Sequence, residues 1–178
     1  MKKIWMISIA ALLAVSLSGC GVGDVGGPES SAAPNTNSQT ASSAILSDKV
    51  KESSVEDNLA GLQKYLVGDA SVPGTPETMR ADFIGAKSGV RYKYGYNGKD
   101  NVTLELYEFA SSNLNSTAKK VLSEVKDSGQ FTLMDQKVDA VLSDSGKYLM
   151  ILKDTSSDDV NVSYVKQVKN LFRGFKKD

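Results

Sequence analysis

The sequence predicts an α+β domain: a four- or five-stranded, mostly antiparallel sheet with helices mainly on one face. Three observations carry this. Apolar residues recur at three- and four-residue intervals in three well-separated stretches. Two further stretches alternate with a period of two around Asn97-Gly98, the strongest short hairpin signal. A third stretch runs Tyr148, Leu149, Met150, Ile151 and Leu152 without a polar break, as in a strand covered on both faces. Residues 45–178 are enough for one ordinary core and too few for two substantial domains.

Taken in order, Val55, Leu59, Leu62 and Leu66 predict an amphipathic helix over Ser47–Val67, ended by Gly68 and Asp69. Pro73-Gly74 makes a turn. Thr75 as N-cap and Pro76 at the first helical position predict a short second helix to Ala86. Val90, Tyr92, Tyr94 and Tyr96 then point one way, with Arg91 and Lys93 opposite. Val102, Leu104 and Leu106 carry the return strand, with Thr103, Glu105 and Tyr107 on its other face. Arg91 or Lys93 is placed to meet Glu105 across the pair. Ser112 or Asn113 caps the next helix, whose stripe is Leu114, Ala118, Val121, Leu122 and Val125, with Gly129 at its exit. Phe131–Met134 and Val138–Leu142 are short strands around Asp135 and Gln136. Asp144, Ser145 and Gly146 turn the chain into the strand Lys147–Lys153, expected inside the sheet. Val162, Val165, Val168, Phe172 and Phe175 predict a final helix from Asp158 to Phe175. The order hairpin then helix occurs twice, without enough sequence likeness to be a repeat.

The first twenty residues address location. Lys2 and Lys3 precede an apolar span, Ile4 to Leu17, which is short of the roughly 20 residues of a permanent membrane helix. Leu17-Ser18-Gly19-Cys20 closes it and resembles the bacterial lipobox. That resemblance implies that 1–19 is a cleaved lipoprotein signal peptide and that Cys20 is the lipidated mature N-terminus. A diacylglyceryl cysteine supplies the two chains that firm anchoring needs. Beside four nearby glycines, the alternative of a buried thiol lacks anything to bury it. Residues 20–44, rich in Gly, Ser, Pro, Asn and Thr, read as the lipidated cysteine and a flexible tether. The chain resembles the small envelope lipoproteins of Gram-positive bacteria, strongly over residues 1–20 and only in general character over 45–178. The implied place is the outer face of the cytoplasmic membrane, or the outer membrane in a Gram-negative cell.

Composition narrows the chemistry. The leader and tether hold Lys2, Lys3, Asp24 and Glu29; beyond them nineteen basic residues balance nineteen acidic ones. That balance argues against nucleic acid as a partner. There is no histidine and Cys20 is the only cysteine, so the usual zinc, copper and iron ligand sets are missing. No cofactor is predicted. Gly21, Gly23 and Gly26 spell a dinucleotide-type motif without the flanking strand and helix it needs. Ser123 and Lys126, with Ser143-Asp144-Ser145, loosely resemble penicillin-binding motifs, but the accompanying Lys-Thr-Gly is absent. Asp154, Asp158 and Asp159 lack the spacing of a calcium loop and read as a solvated link into the last helix.

Four tyrosines are the candidate binding residues: Tyr92, Tyr94, Tyr96 and Tyr107. If their strand face is inward, the first three are core; otherwise they offer a surface to a glycan or an envelope protein. Tyr107 lies opposite Leu104 and Leu106 and is the better candidate for an exposed or helix-edge aromatic. The expected function is a lipid-anchored binding or protein-interaction module of the cell envelope, with the membrane as partner through Cys20. The alternatives are a small envelope enzyme using Ser, Asp, Glu or Lys, or a structural component of an envelope assembly.

Overall fold

The structure, a computed structural model, describes residues 49–177. Cys20 and the expected signal peptide and tether lie outside the described residues. The described residues belong to one compact unit.

Its centre is a five-stranded antiparallel sheet in the order β1-β2-β3-β7-β6, formed by β1 (Glu77–Met79), β2 (Ser88–Tyr96), β3 (Lys99–Glu108), β6 (Val141–Leu142) and β7 (Tyr148–Asp154). β4 (Gln130–Leu133) and β5 (Gln136–Asp139) form a separate hairpin. The α+β class, the antiparallel pairing and the strand count agree with the sequence pattern.

The β2–β3 hairpin turns on Asn97 and Gly98, both at positive φ, as a two-residue hairpin of this hand requires. Val90, Tyr92, Tyr94, Val102, Leu104, Leu106, Tyr148 and Met150 then fall on one sheet face. Two of the three α-helices among the described residues cover it. These are α1 (Leu59–Asp69), through Leu59, Leu62, Tyr65 and Leu66, and α3 (Asp159–Gly174), through Tyr164, Val168 and Phe172. The opposite face carries Tyr107 and Leu149. Ile84 and Phe131, with Ala118, Val121 and Val125 of α2 (Ser116–Ser128), cover it at one end.

Four segments differ from their sequence expectation. The single strand expected over Val138–Leu142 breaks at Ala140 into β5 and β6, which pair in different sheets. The first helix starts at Leu59, not Ser47, because Asn58 caps it by accepting from Gly61 N at 2.8 Å. Residues 49–58 instead form a strap with a single 3₁₀ turn at Glu52–Ser54. The strap lies so close to α1 that Gly61 faces the Glu56 carbonyl and Gly68 faces the Val50 side chain, with no room for a β-carbon. The second expected helix is absent. Glu77–Met79 is the edge strand β1, and only Asp82–Ile84 makes a 3₁₀ turn. Pairing with Gly89–Arg91 outweighs a helical pattern resting on three apolar residues. Finally, α2 is capped by Asn115, whose side chain accepts from Ala118 N at 2.8 Å, rather than by Ser112 or Asn113.

Buried charge is paired. Glu108, 5 % exposed, accepts from Leu59 N at the start of α1 at 2.9 Å and lies 3.4 Å from Lys87 and 3.9 Å from Lys147. A carboxylate at a helix N-terminus is favourable, and the two lysines offset its desolvation. Lys147 also meets Asp57 at 3.1 Å, and the Tyr148 hydroxyl donates to Asp57 at 2.6 Å. The strap is thereby fastened at one end. At the other end Glu52 accepts from the Lys176 backbone N–H and from its ammonium through the Glu52 carbonyl.

Candidate functional site

The alternation that places Tyr92, Tyr94 and Tyr96 on one face turns that face inward. Tyr92 is buried under α1, and its hydroxyl donates to Gln63 Oε1 at 3.1 Å. Tyr94 is buried under α3 and shares a 2.8 Å hydrogen bond with the Tyr164 hydroxyl. Burial pushes the Tyr92, Tyr94 and Tyr164 hydroxyls upward from the ordinary tyrosine range.

Tyr107 corrects the expectation of an exposed aromatic. It is 1 % exposed, because the loop at Phe83 and Ile84 folds over this face, and the Phe83 ring meets it edge-on. Its hydroxyl donates to Glu105 Oε2 at 2.8 Å, and Glu105 also pairs with Arg91 at 2.8 Å. Burial and that hydrogen bond raise the Tyr107 hydroxyl. The sheet leaves no way for Tyr107 and Tyr92 to share a surface, since they occupy opposite faces.

Tyr96 is the one candidate tyrosine that stays half-buried at the rim. Its ring stacks on Tyr164, with centroids 3.8 Å apart and planes 11° from parallel. Together they line a shallow groove of about 360 Å³ with Asp159, Val160, Ser163 and Gln167 from the first turns of α3. Val160 is 55 % exposed there. An apolar ring face edged by a carboxylate, a hydroxyl and an amide can hold a ligand that has both apolar and hydrogen-bonding groups.

A polar network fixes the two elements that form the groove. A register shift between Tyr94 and Gly95 places a bulge beside the hairpin turn. Asn101, buried at that bulge, accepts from Tyr96 N at 3.0 Å and donates to Asp154 Oδ1 at 2.5 Å. Asn161, 1 % exposed on α3, donates to Asp154 Oδ2 at 2.9 Å, and Ser156 N adds a third donor at 2.8 Å. Partial burial alone would raise the Asp154 carboxyl. The three donors outweigh it and hold the group below the usual carboxylate range.

No match was found to known proteins, whether by family model, by sequence or by solved structure.

Tyr164 and Asn161 escaped the sequence reading. The expected stripe of the last helix began Val162, Val165 and Val168. The structure buries Asn161, Tyr164, Val168 and Phe172 and leaves Val162 55 % exposed. A face containing Asn and Tyr looks polar until their partners Asp154 and Tyr94 are known. The spacing of three, four and four residues was the available signal.

The serine–lysine resemblance does not assemble. Ser123 donates to Asp127 at 3.3 Å. Ser143 is buried, accepts from Tyr148 N at 3.1 Å and lies 3.0 Å from the Ser145 hydroxyl, so its oxygen serves the turn into β7. Asp154, a possible ion ligand in the sequence, is committed to Asn101, Asn161 and Ser156. Among the described residues no helix is long and apolar enough to cross a membrane.

Proposed function

We propose that the chain is a lipid-anchored binding module of the cell envelope, held through Cys20 and presenting the Tyr96–Tyr164 groove. The lipobox-like Leu17-Ser18-Gly19-Cys20 supports the anchor. The observation that carries the binding surface is the stacked Tyr96 and Tyr164 pair at the rim, next to exposed Val160. The ligand is a glycan or a protein segment that lays an apolar face on Tyr96 and Val160 and hydrogen-bonds to Asp159, Ser163 and Gln167. The Asp154 network keeps the hairpin and α3 in register, so the surface is set before a ligand arrives.

The test places a photo-crosslinking side chain at Tyr96 in the full chain in intact cells, with exposed Lys64 as the control position. An envelope component attached at position 96 and absent at 64 supports the reading. The same adducts at both positions, or none at 96, overturns it. For the anchor, Cys20→Ala abolishes incorporation of labelled lipid; equal label in both proteins rejects Cys20 as the attachment point.

A further inference from the structure

We propose that the uncovered end of the second sheet face, centred on Thr103, binds a hydroxylated phosphate ester. This is the sheet face opposite the Tyr96–Tyr164 groove. α2 and the β4–β5 hairpin cover its other end, over Tyr107 and Leu149. Toward the Asn97-Gly98 turn, no described element packs on it.

The strand register builds the site. Thr103 has Lys93 as its partner on β2 and Lys153 as its partner on β7. All three side chains leave the same face, opposite Val102 and Leu104. Neighbouring strands are about 4.8 Å apart, so the lysines stand about 10 Å apart across a central hydroxyl. Their flexible stems can close that span onto one phosphate. A shallow depression of about 450 Å³, lined by Lys93, Asp100, Thr103 and Thr155 among others, lies on the Lys93 side of Thr103, with Lys153 next to it on β7 and outside its lining.

Charge complementarity selects the anion. One row along the face, Arg91 is occupied by Glu105 at 2.8 Å. Lys93 has only a 3.8 Å contact to Glu77, and both side chains are mostly exposed, so that pair holds it weakly. Lys153 has no ion-pair partner among the described residues. A weakly paired ammonium on one side of the hydroxyl and an unpaired one on the other suit a tetrahedral anion. Asp100 and Thr155 lie at the same depression and accept hydrogen bonds from ligand hydroxyls, which specifies a polyol or sugar phosphate over bare phosphate. The exposed large apolar residues Val67, Phe83, Met134, Val160 and Val162 are all on other segments. The site therefore fits a soluble ester rather than a lipid surface, which would want an apolar side chain to insert.

The test is an NMR titration of the fragment 43–178, which contains every described residue and both hydrophobic clusters, with glycerol 3-phosphate. Shifts concentrated at the Lys93, Thr103 and Lys153 amides are expected. Lys153→Gln should weaken binding by about tenfold, the loss of one charged contact. Tyr96→Ala should leave it unchanged, which separates this site from the groove. Inorganic phosphate should move the same amides with lower affinity, and glycerol should move none. No shifts at these amides, equal binding by glycerol, or full affinity in Lys153→Gln overturns the proposal. So does binding to phosphatidylglycerol vesicles with none to glycerol 3-phosphate.

Discussion

Tyr94 on β2 and Tyr164 on α3 meet hydroxyl to hydroxyl at 2.8 Å, both buried, seventy residues apart in sequence. Their rings also meet edge-on, at 6.4 Å and 88°. This contact fixes α3 on the sheet at the height where Tyr96 completes the groove. Removing one hydroxyl leaves the other buried without its partner. Tyr164→Phe is expected to cost about 1–3 kcal/mol. The double change Tyr94→Phe with Tyr164→Phe should cost less than the sum of the singles. Urea unfolding of the four proteins measures the coupling, and strictly additive losses would contradict the shared bond.

Asp154 should make the groove end acid-sensitive. Its carboxyl titrates below the ordinary value of 3.8 because Asn161, Ser156 and Asn101 bond to the charged form. A depressed carboxyl contributes stability that is complete above the unfolded-chain value, about 3.9. That contribution is lost as pH falls through the lower folded-state value. Asp154→Asn should flatten the dependence of unfolding free energy on pH in this acidic range. An unchanged profile in the variant would show that the network does not hold the charge.

Tyr107 in the core and Tyr96 at the rim should behave oppositely. Tyr107→Ala opens a cavity under the Phe83 loop and is expected to cost about 3–5 kcal/mol. Tyr96→Ala, at the rim, should cost about 1 kcal/mol or less and lower ligand capture instead. Thermal melts and crosslinking yield compare them directly. A large stability loss from Tyr96→Ala would return Tyr96 to the core.

Gly61 and Gly68 should both resist the usual benefit of alanine in a helix, which is about 1 kcal/mol. At Gly61 the new methyl meets the Glu56 backbone carbonyl; at Gly68 it meets the Val50 side chain. Gly61→Ala should therefore displace the strap, read as faster amide exchange over residues 50–57. Val50→Ala should relieve Gly68→Ala and leave Gly61→Ala unrelieved. Protection unchanged in Gly61→Ala would mean that the strap can shift at no cost.

The sequence made the sheet legible where period and turn chemistry agreed. Asn97-Gly98 and the unbroken Tyr148–Leu152 run located β2, β3 and β7, and Gly129 marked the end of α2, where it takes a left-handed conformation. β1 was not legible, because three exposed or half-buried residues become a strand only through β2. The site was half legible. Tyr96 was named, but its neighbours come from α3, and the burial of Asn161 and Tyr164 depends on partners that local pattern does not reveal. Tyr107 misled because alternation separates two faces without saying that both are covered.

The strap has a mechanical consequence. Any tension arriving from the chain ahead of residue 49 enters the domain here, through a segment with no buried residue of its own before Leu59. Its polar fastenings are Glu52 to Lys176 and Asp57 to Lys147 and Tyr148, beside the packing of Val50 on α1 and of Val55 on the core. Under load these clasps part before the two cores are strained. Once freed, the ten-residue strap can span at most about 35 Å, at ~3.5 Å per residue, while the folded body stays intact.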